Sequence, residues 1–254
     1  AGFKHYMLWL TGDCGTGAGS CPDGNLGSDF WQAVAITFFF AVVTVAIEVV
    51  LGLWMATVMN RTFAGRSLLR ASVLIPWAIP TAVTAKLWFF IFAENGIANK
   101  MLGTDIAWTT DPWASRFAVI LADVWKTTPF MALLILAGLQ LIPSDVYEAA
   151  RVDGASRWKQ FVHITLPLVK PALGTVVTFG FIMIWDQYLL PLIVVNQDSL
   201  NTIPVILGTL RTDESITPNI FIAITLLAML PSIIVYLGLQ KHFNRGIMSG
   251  AVKG

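Results

Sequence analysis

The 254-residue chain is 56% hydrophobic and only 12% charged, with a formal net charge of +1 and a mean hydropathy of +0.71. A soluble domain carries about a quarter charged residues, so the composition excludes an ordinary soluble protein and points to a membrane protein. The charges are scattered along the chain, which gives no basis for nucleic-acid binding.

The first 30 residues hold both cysteines, Cys14 and Cys21, in a Gly-rich stretch. Neither has His or Cys neighbours at metal-ligand spacing, so no metal is expected. A disulfide and two free thiols both fit. The segment GDCGTGAG lacks the lysine and following helix of a phosphate-binding loop, and G-x-x-x-x-G-K-[ST] occurs nowhere in the chain. His5, His163 and His242 fall at the start, in a polar connection and near the end, and no nucleophile–base constellation forms around them. We expect no catalytic site and no cofactor bound by this chain.

Five apolar segments follow, at roughly 31–58, 71–93, 117–142, 172–195 and 219–240. Each meets the length of about 20 residues that crosses a hydrocarbon core. Lipid leaves an isolated strand no partner for its backbone, so all five should be helices. The expected fold is all-α, a polytopic membrane helix bundle with no soluble domain. Pro76 and Pro80 lie in the second segment and could bend it.

Orientation follows from the basic residues. Ten fall on one side: Arg61, Arg66, Arg70, Arg151, Arg157, Lys159, Lys170, Lys241, Arg245 and Lys253. Four fall on the other: Lys4, Lys100, Arg116 and Arg211. The richer side is cytoplasmic, with the C-terminus. Residues 1–30 are then extracytoplasmic, and 31–254 form the membrane domain with a cytoplasmic loop at 143–171. A chain beginning outside at Ala1 leads us to expect a further helix upstream of it.

That cytoplasmic loop contains EAARVDGASRWKQFVHITLP, the most charged run of the chain. Pro143 ends the third span. Ser144 or Asp145 can cap a new helix, with Glu148 closing a capping box. Val146, Ala149 and Ala150 form a small apolar face. Gly154 stops the turn as a residue able to take positive φ. A second short helix carries Trp158, Phe161, Val162 and Thr165 at helical spacing, a stripe expected to lie against the membrane domain, and Leu166-Pro167 ends it. Small residues on a projecting helix pair let a partner approach the backbone closely, which reads as a docking element. An amphipathic helix lying on lipid headgroups is the competing reading.

Glu148-Ala149-Ala150, three residues, Gly154, nine residues, Ile164, one residue and Leu166-Pro167 together resemble the EAA loop of ABC importer permeases. The stretches FAGRSLLRASVLIPWAIPT, DVWKTTPFMALLILAGLQLIPSDVYEAA, IWDQYLLPLIVV and NRGIMSGAVKG are similar to the carbohydrate-uptake branch, the maltose, trehalose and glycerol-3-phosphate type. The upstream half is similar to one of the two paired permeases of that branch and the C-terminal half to the other. Which permease role this chain takes, and whether it pairs with itself, is therefore open.

The resemblance implies a transport subunit in the inner membrane of a prokaryote. A second permease, an extracytoplasmic solute-binding protein and a cytoplasmic ATPase dimer that uses ATP and Mg would be its partners. It implies that Glu148, Ala149, Ala150, Asp153 and Gly154 couple to the ATPase, and that the tail, with Lys253, lies in the seam between the ATPase subunits. It further implies that the outer stretch 201–219 reaches the binding protein through Gly208 and Thr209; a short re-entrant cover over the pore is the alternative. An importer of a polyol or glycerol-phosphodiester, and from another class a membrane-embedded enzyme, are the competing functions.

For the substrate, helix arithmetic at about 1.5 Å per residue puts Glu48, Lys86, Lys126 and Asp186 roughly 20–26 Å from the cytoplasmic edge. Charges at that depth should face one another or a polar cavity. Trp88, Trp125, Trp185, Gln187 and Tyr188 fall in the same layer, and aromatic faces beside amide and hydroxyl groups suit a sugar. The candidate pathway is thus Lys86, Trp88, Trp125, Lys126, Trp185, Asp186, Gln187 and Tyr188. A structural Glu48–Lys86 ion pair and an interfacial belt of Trp88 and Trp125 are the competing readings.

Overall fold

The computed structural model describes Tyr6, residues 26–212 and residues 218–251, those beyond 240 as backbone alone. Cys14, Cys21 and Lys253 lie outside the described residues. All the described regular structure is helical. In chain order the elements are α1 (Leu26–Met59), α2 (Arg66–Val73), α3 (Ile75–Ala78), α4 (Thr81–Ile91), α5 (Ile97–Leu102), α6 (Pro112–Gln140), α7 (Ser144–Val152) and α8 (Arg157–Gln160). A π turn (Phe161–Thr165), α9 (Leu166–Trp185), α10 (Leu189–Val194), a 3-10 turn (Asp198–Leu200), α11 (Ile203–Thr212) and α12 (Pro218–Ala251) complete the order.

Among the described residues four helices are long and apolar enough to cross a membrane: Gly27–Met59, Pro112–Gln140, Arg157–Trp185 and Pro218–Gln240. The expected second span, 71–93, is instead interrupted. Ile79 takes an extended conformation with ψ 130° because the ring of Pro80 disfavours a helical residue before it. Counting α2–α4 as one broken span brings the number to five.

The expected fourth span, 172–195, is also two helices. Pro191 has no N–H to donate to the carbonyl of Gln187, which weakens the helix at that turn. Pro129, Pro171 and Pro231 stand inside α6, α9 and α12 without ending them, so the break here also rests on the contacts around it. The α-helical pattern lasts to Asp186 N–H, which bonds Ile182 O at 3.1 Å, and the chain then tightens, with Gln187 N–H bonding Ile184 O at 3.1 Å. At the other end of this span Leu166-Pro167 does not stop the helix. The wider π turn lets Leu166 N–H donate to Phe161 O, and Pro167 enters the first turn of α9, where its missing N–H is tolerated.

The outer stretch 201–219, whose turn-forming flanks fit a loop, contains a helix, α11, and the tail is helical to Ala251. Glycine and serine do not favour such a tail, but extending an existing helix avoids the costly nucleation step.

The chain divides into two compact units. Of the described residues, the first comprises those up to Thr44, Pro80–Asp123 and those from Ile182 to Ile234; the second comprises Val45–Ile79, Val124–Phe181 and those from Val235 on. In lipid, apolar burial drives little helix association, so close approach of small residues matters most. Within the second unit a Cβ on Gly138 would stand 2.4 Å from Ala172 Cβ, and one on Gly52 3.4 Å from the Ala132 nitrogen. Around these approaches Met59, Met131, Ile135, Leu136, Leu139, Val169 and Val176 form a buried cluster.

In the first unit α10 packs on α4. Its connection from residue 92 to 111 is built around Asn99, 4% exposed. The Asn99 amide donates to Glu94 O at 3.0 Å and Ile106 O at 2.9 Å, and its oxygen accepts from Trp108 Nε1 at 2.8 Å. Asp111 then caps α6, its Oδ1 accepting from Ala114 N at 2.8 Å.

Candidate functional site

In the second unit the candidate coupling segment is a helix, a glycine turn and a second helix. Pro143, with ψ 142°, stands at the N-cap of α7, and no side chain caps it. The expected capping box is therefore absent. Ser144 Oγ donates to Asp145 Oδ1 at 3.2 Å, and Ser144 already belongs to the helix. At the far end the expectation holds: Gly154 has φ 76°. Ala155 N–H reaches Ala150 O at 2.9 Å and Gly154 N–H reaches Arg151 O at 3.0 Å. This pair of bonds is a Schellman closure, which satisfies carbonyls otherwise orphaned at a helix end.

Ser156 then caps α8, its hydroxyl accepting from Lys159 N at 3.3 Å. Three polar contacts fix the segment. Gln160 Nε2 donates to Ala155 O at 2.8 Å, Tyr147 Oη lies 3.0 Å from Thr165 Oγ1, and Thr165 Oγ1 donates to Gln160 O at 3.4 Å. Ala150, Gln160 and Thr165 are buried, whereas Glu148, Ala149, Asp153 and Gly154 are exposed. The expected apolar stripe is corrected at one end: Trp158 is 72% exposed and stacks on Phe161 with ring centroids 5.7 Å apart. The inward positions are the polar Gln160 and Thr165, whose Nε2 and Oγ1 find partners within the segment.

The predicted pathway residues divide between the two units. In the second unit Lys126 is 6% exposed, donates to Ile79 O at 2.6 Å and lies 6.0 Å above the Trp77 ring. Glu48, 1% exposed, accepts from the Thr127 hydroxyl. A Cβ on Gly180 would lie 3.5 Å from Glu48 Oε2, so this glycine leaves the carboxylate its space. Trp125 is half-buried.

In the first unit Lys86 is exposed with its ammonium 5.7 Å from the centroid of Phe89, and Trp88 stacks on Phe92 at 5.3 Å. Asp186, Gln187 and Tyr188 form the break between α9 and α10. Asp186 is exposed and Gln187 half-buried, while Trp185 is 2% exposed and donates to Ala228 O at 3.0 Å. Trp185 therefore anchors the helix that ends at this break. The Tyr188 ring covers Gly208 on α11, where a Cβ would meet Tyr188 Cε2 at 3.0 Å. Thr209 is exposed beside it, its hydroxyl donating to Ile206 O at 2.8 Å. Two residues singled out on separate grounds, Tyr188 and Gly208, are thus in contact.

The sequence reading missed Asp123. It is 3% exposed, and its Oδ1 accepts from Gln187 Nε2 at 3.4 Å. Thr44, Asp123, Gln187 and Thr202 bring polar groups to one small void of this unit, and the Thr202 hydroxyl has no hydrogen-bond partner among the described residues. An acid three residues before Lys126 in an apolar helix was the available signal.

The chain is 47% identical over 150 residues to the trehalose/maltose transport system permease protein MalF of Thermococcus litoralis, covering 57% of this chain and 51% of that protein. It is 44% identical over 151 residues to the trehalose transport system permease protein SugA of Mycobacterium tuberculosis, 59% of this chain and 49% of that one. With the sulfoquinovosyl glycerol transport system permease protein SmoG of Agrobacterium fabrum it shares 38% over 168 residues, 64% of this chain and 54% of that one. The chain thus spans about half the length of the curated relatives it matches.

Among solved structures, a bacterial ABC transporter involved in import of the acidic polysaccharide alginate matches with a TM-score of 0.75 and 19% identity, over 100% of this chain and 85% of that one. The alginate ABC transporter in complex with an alginate pentasaccharide-bound periplasmic protein matches at 0.73 and 19%, over 96% and 83%. At such identity these two establish the fold alone. The profile of one family covers residues 48–249, a range that includes the whole helix–glycine–helix segment: the chain belongs to the binding-protein-dependent transport system inner membrane components.

Proposed function

We propose that this chain is a permease subunit of a binding-protein-dependent ABC importer for a sugar, and that residues 144–165 receive the movement of a partner ATPase. The observation that carries this reading is the pinned projection of the second unit. A helix closed at Gly154 leaves Glu148 and Ala149 exposed on a segment held by its own hydrogen bonds. A lever must be rigid and must show its partner a face, and this segment meets both conditions.

Sugar as the cargo class is supported by the names of the relatives, which transport trehalose, maltose and sulfoquinovosyl glycerol. The last of these favours a second reading, import of a glycoside of glycerol. Residues of the first unit suit either cargo: Gln187, Tyr188 and Asp123 supply amide, hydroxyl and carboxylate groups around the helix break.

The chain itself performs no chemistry in this account; ATP and Mg act at an ATPase dimer in the cytoplasm. A second permease completes the membrane domain, and a solute-binding protein delivers cargo from outside, near Gly208 and Thr209. The match to a transporter crystallised with its periplasmic protein is in keeping with that partner. In this reading residues 143–171 face the cytoplasm together with the C-terminus, which the excess of basic residues on that side supports, residues 1–30 lie outside, and 31–254 form the membrane domain. Vesicles holding the assembled transporter test the proposal. They should take up labelled trehalose, maltose or a glyceryl glycoside only with ATP inside the cytoplasmic compartment and binding protein outside. Uptake independent of ATP would refute it.

A further inference from the structure

The second unit carries a cleft of about 370 Å³ where the end of α1 meets α7, α8 and the π turn. Asn60, Arg61, Tyr147, Arg157, Trp158 and Gln160 supply its polar and aromatic walls, and no carboxylate lines it. The guanidinium groups of Arg61 and Arg157 make no hydrogen bond or ion pair among the described residues. Two like charges facing one cleft repel each other, and a shared anion would convert that repulsion into attraction. Guanidinium groups match a phosphate in particular, because their paired N–H groups meet two of its oxygens at once.

The rest of the lining indicates what carries the phosphate. The apolar run of α1 ends at Met59, immediately before Asn60 and Arg61. Leu139 and Phe161 add carbon to the wall, and the Trp158 ring stands 72% exposed beside them. Tryptophan and arginine at the end of a membrane span are the residue types that sit at headgroup level. A free phosphate would use the arginines and leave the apolar wall wet. A lipid would use both.

We propose that this cleft holds the phosphate of an anionic phospholipid of the inner leaflet, wedged between the end of α1 and the coupling segment. The leaflet assignment rests on the orientation proposed above; the binding itself does not. Because Tyr147 and Gln160 line the cleft and also tie the segment together, an occupied cleft would stiffen the projection.

The test uses the assembled transporter in nanodiscs of phosphatidylcholine with and without phosphatidylglycerol, followed by native mass spectrometry of retained lipid. Each basic residue near an anionic headgroup contributes about fivefold in binding, so R61Q/R157Q should lower phosphatidylglycerol retention by about thirtyfold. R61K/R157K, which keeps the charge but loses the paired N–H groups, should retain an amount between the parent and R61Q/R157Q, and W158A should lower retention with both arginines in place. Undiminished retention in R61Q/R157Q and W158A overturns the proposal. Displacement of the lipid by inorganic phosphate at millimolar concentration would assign the cleft to a free anion instead, and that also overturns it. Loss of the ATPase from R61Q/R157Q complexes with lipid retention intact would assign the arginines to a partner carboxylate, and the lipid proposal would fall. Retention is read without turnover, so failure of the coupling reading would leave this measurement untouched.

Discussion

Two helix ends in this chain are made by different means. The end of α7 at Gly154 is local: a positive φ of 76° and two main-chain bonds within six residues close it. The end of α9 at Asp186 needs the rest of its unit: Pro191 removes one main-chain bond, Trp185 is held by Ala228 O, Gln187 by Asp123 and Tyr188 by the space over Gly208. A locally coded end can project from the membrane and keep its shape while its partner moves. An end held by tertiary contacts can change when those contacts change. The first suits a lever and the second a gate.

The largest effect should come from the helix contact beneath the proposed coupling segment. In Gly138→Leu the new side chain would begin 2.4 Å from Ala172 Cβ, and overpacking at a close helix contact costs about 3 kcal/mol. Fluorescence-detected melting in detergent should show a clear fall in stability. Gly238→Leu, where a Cβ meets nothing within 4 Å, should melt as the parent does. Equal melting of the two would mean that α6 and α9 do not depend on this approach.

Gly154→Val should come next. A β-branched residue at positive φ costs about 2 kcal/mol, so the Schellman turn should open and transport-coupled ATP hydrolysis should fall by about tenfold. Gly154→Asn, which tolerates the left-handed region, should keep most of it. A valine variant with full coupling would break the contrast between the two ends.

Gln187→Ala removes one side-chain bond, worth about 1 kcal/mol, from the end held by tertiary contacts. Sugar uptake should change while ATPase copurification stays at the parent level. Parallel loss of both would show that the α9–α10 break also supports docking. The smallest effect belongs to Ser156→Ala. Its cap bond is long at 3.3 Å, and the loss should be about 0.5 kcal/mol, seen as a slight fall in coupling efficiency.

The same contrast explains what could be read from the sequence. Glu148, Ala149, Ala150 and Gly154 stand at fixed spacing, and a main-chain turn obeys spacing, so the helix–glycine–helix segment was legible. The long spans were legible because lipid permits only helices of that length. The interruption at Ile79 was half legible: Pro76 and Pro80 gave warning, but the sequence did not say which one breaks the helix. The break at Asp186 was not, because an apolar run on both sides masks a single Pro191 whose effect depends on what Gln187 and Tyr188 find to hold them.

α11 escaped for the opposite reason. Its flanking Asn, Thr and Pro residues are those of a turn, and its helix is fixed from outside, with Ile203 N–H donating to the Thr37 hydroxyl at 2.9 Å. The capping box was expected from residue types that Pro143 displaced by one position. Asp123 was passed over beside Lys126, although burial at 3% makes it one of the most enclosed charges described.

The central claim is that residues 144–165 lie in the cytoplasm against the ATPase. Ala149 is exposed and small, so Ala149→Cys in an otherwise cysteine-free transporter reports on it directly. Intact cells should protect the introduced thiol from a membrane-impermeant maleimide, and inverted vesicles should label it only after the ATPase is stripped away. A short bifunctional reagent should join the two proteins through that thiol before stripping. Labelling from outside intact cells, or equal labelling with and without the ATPase, would contradict the account.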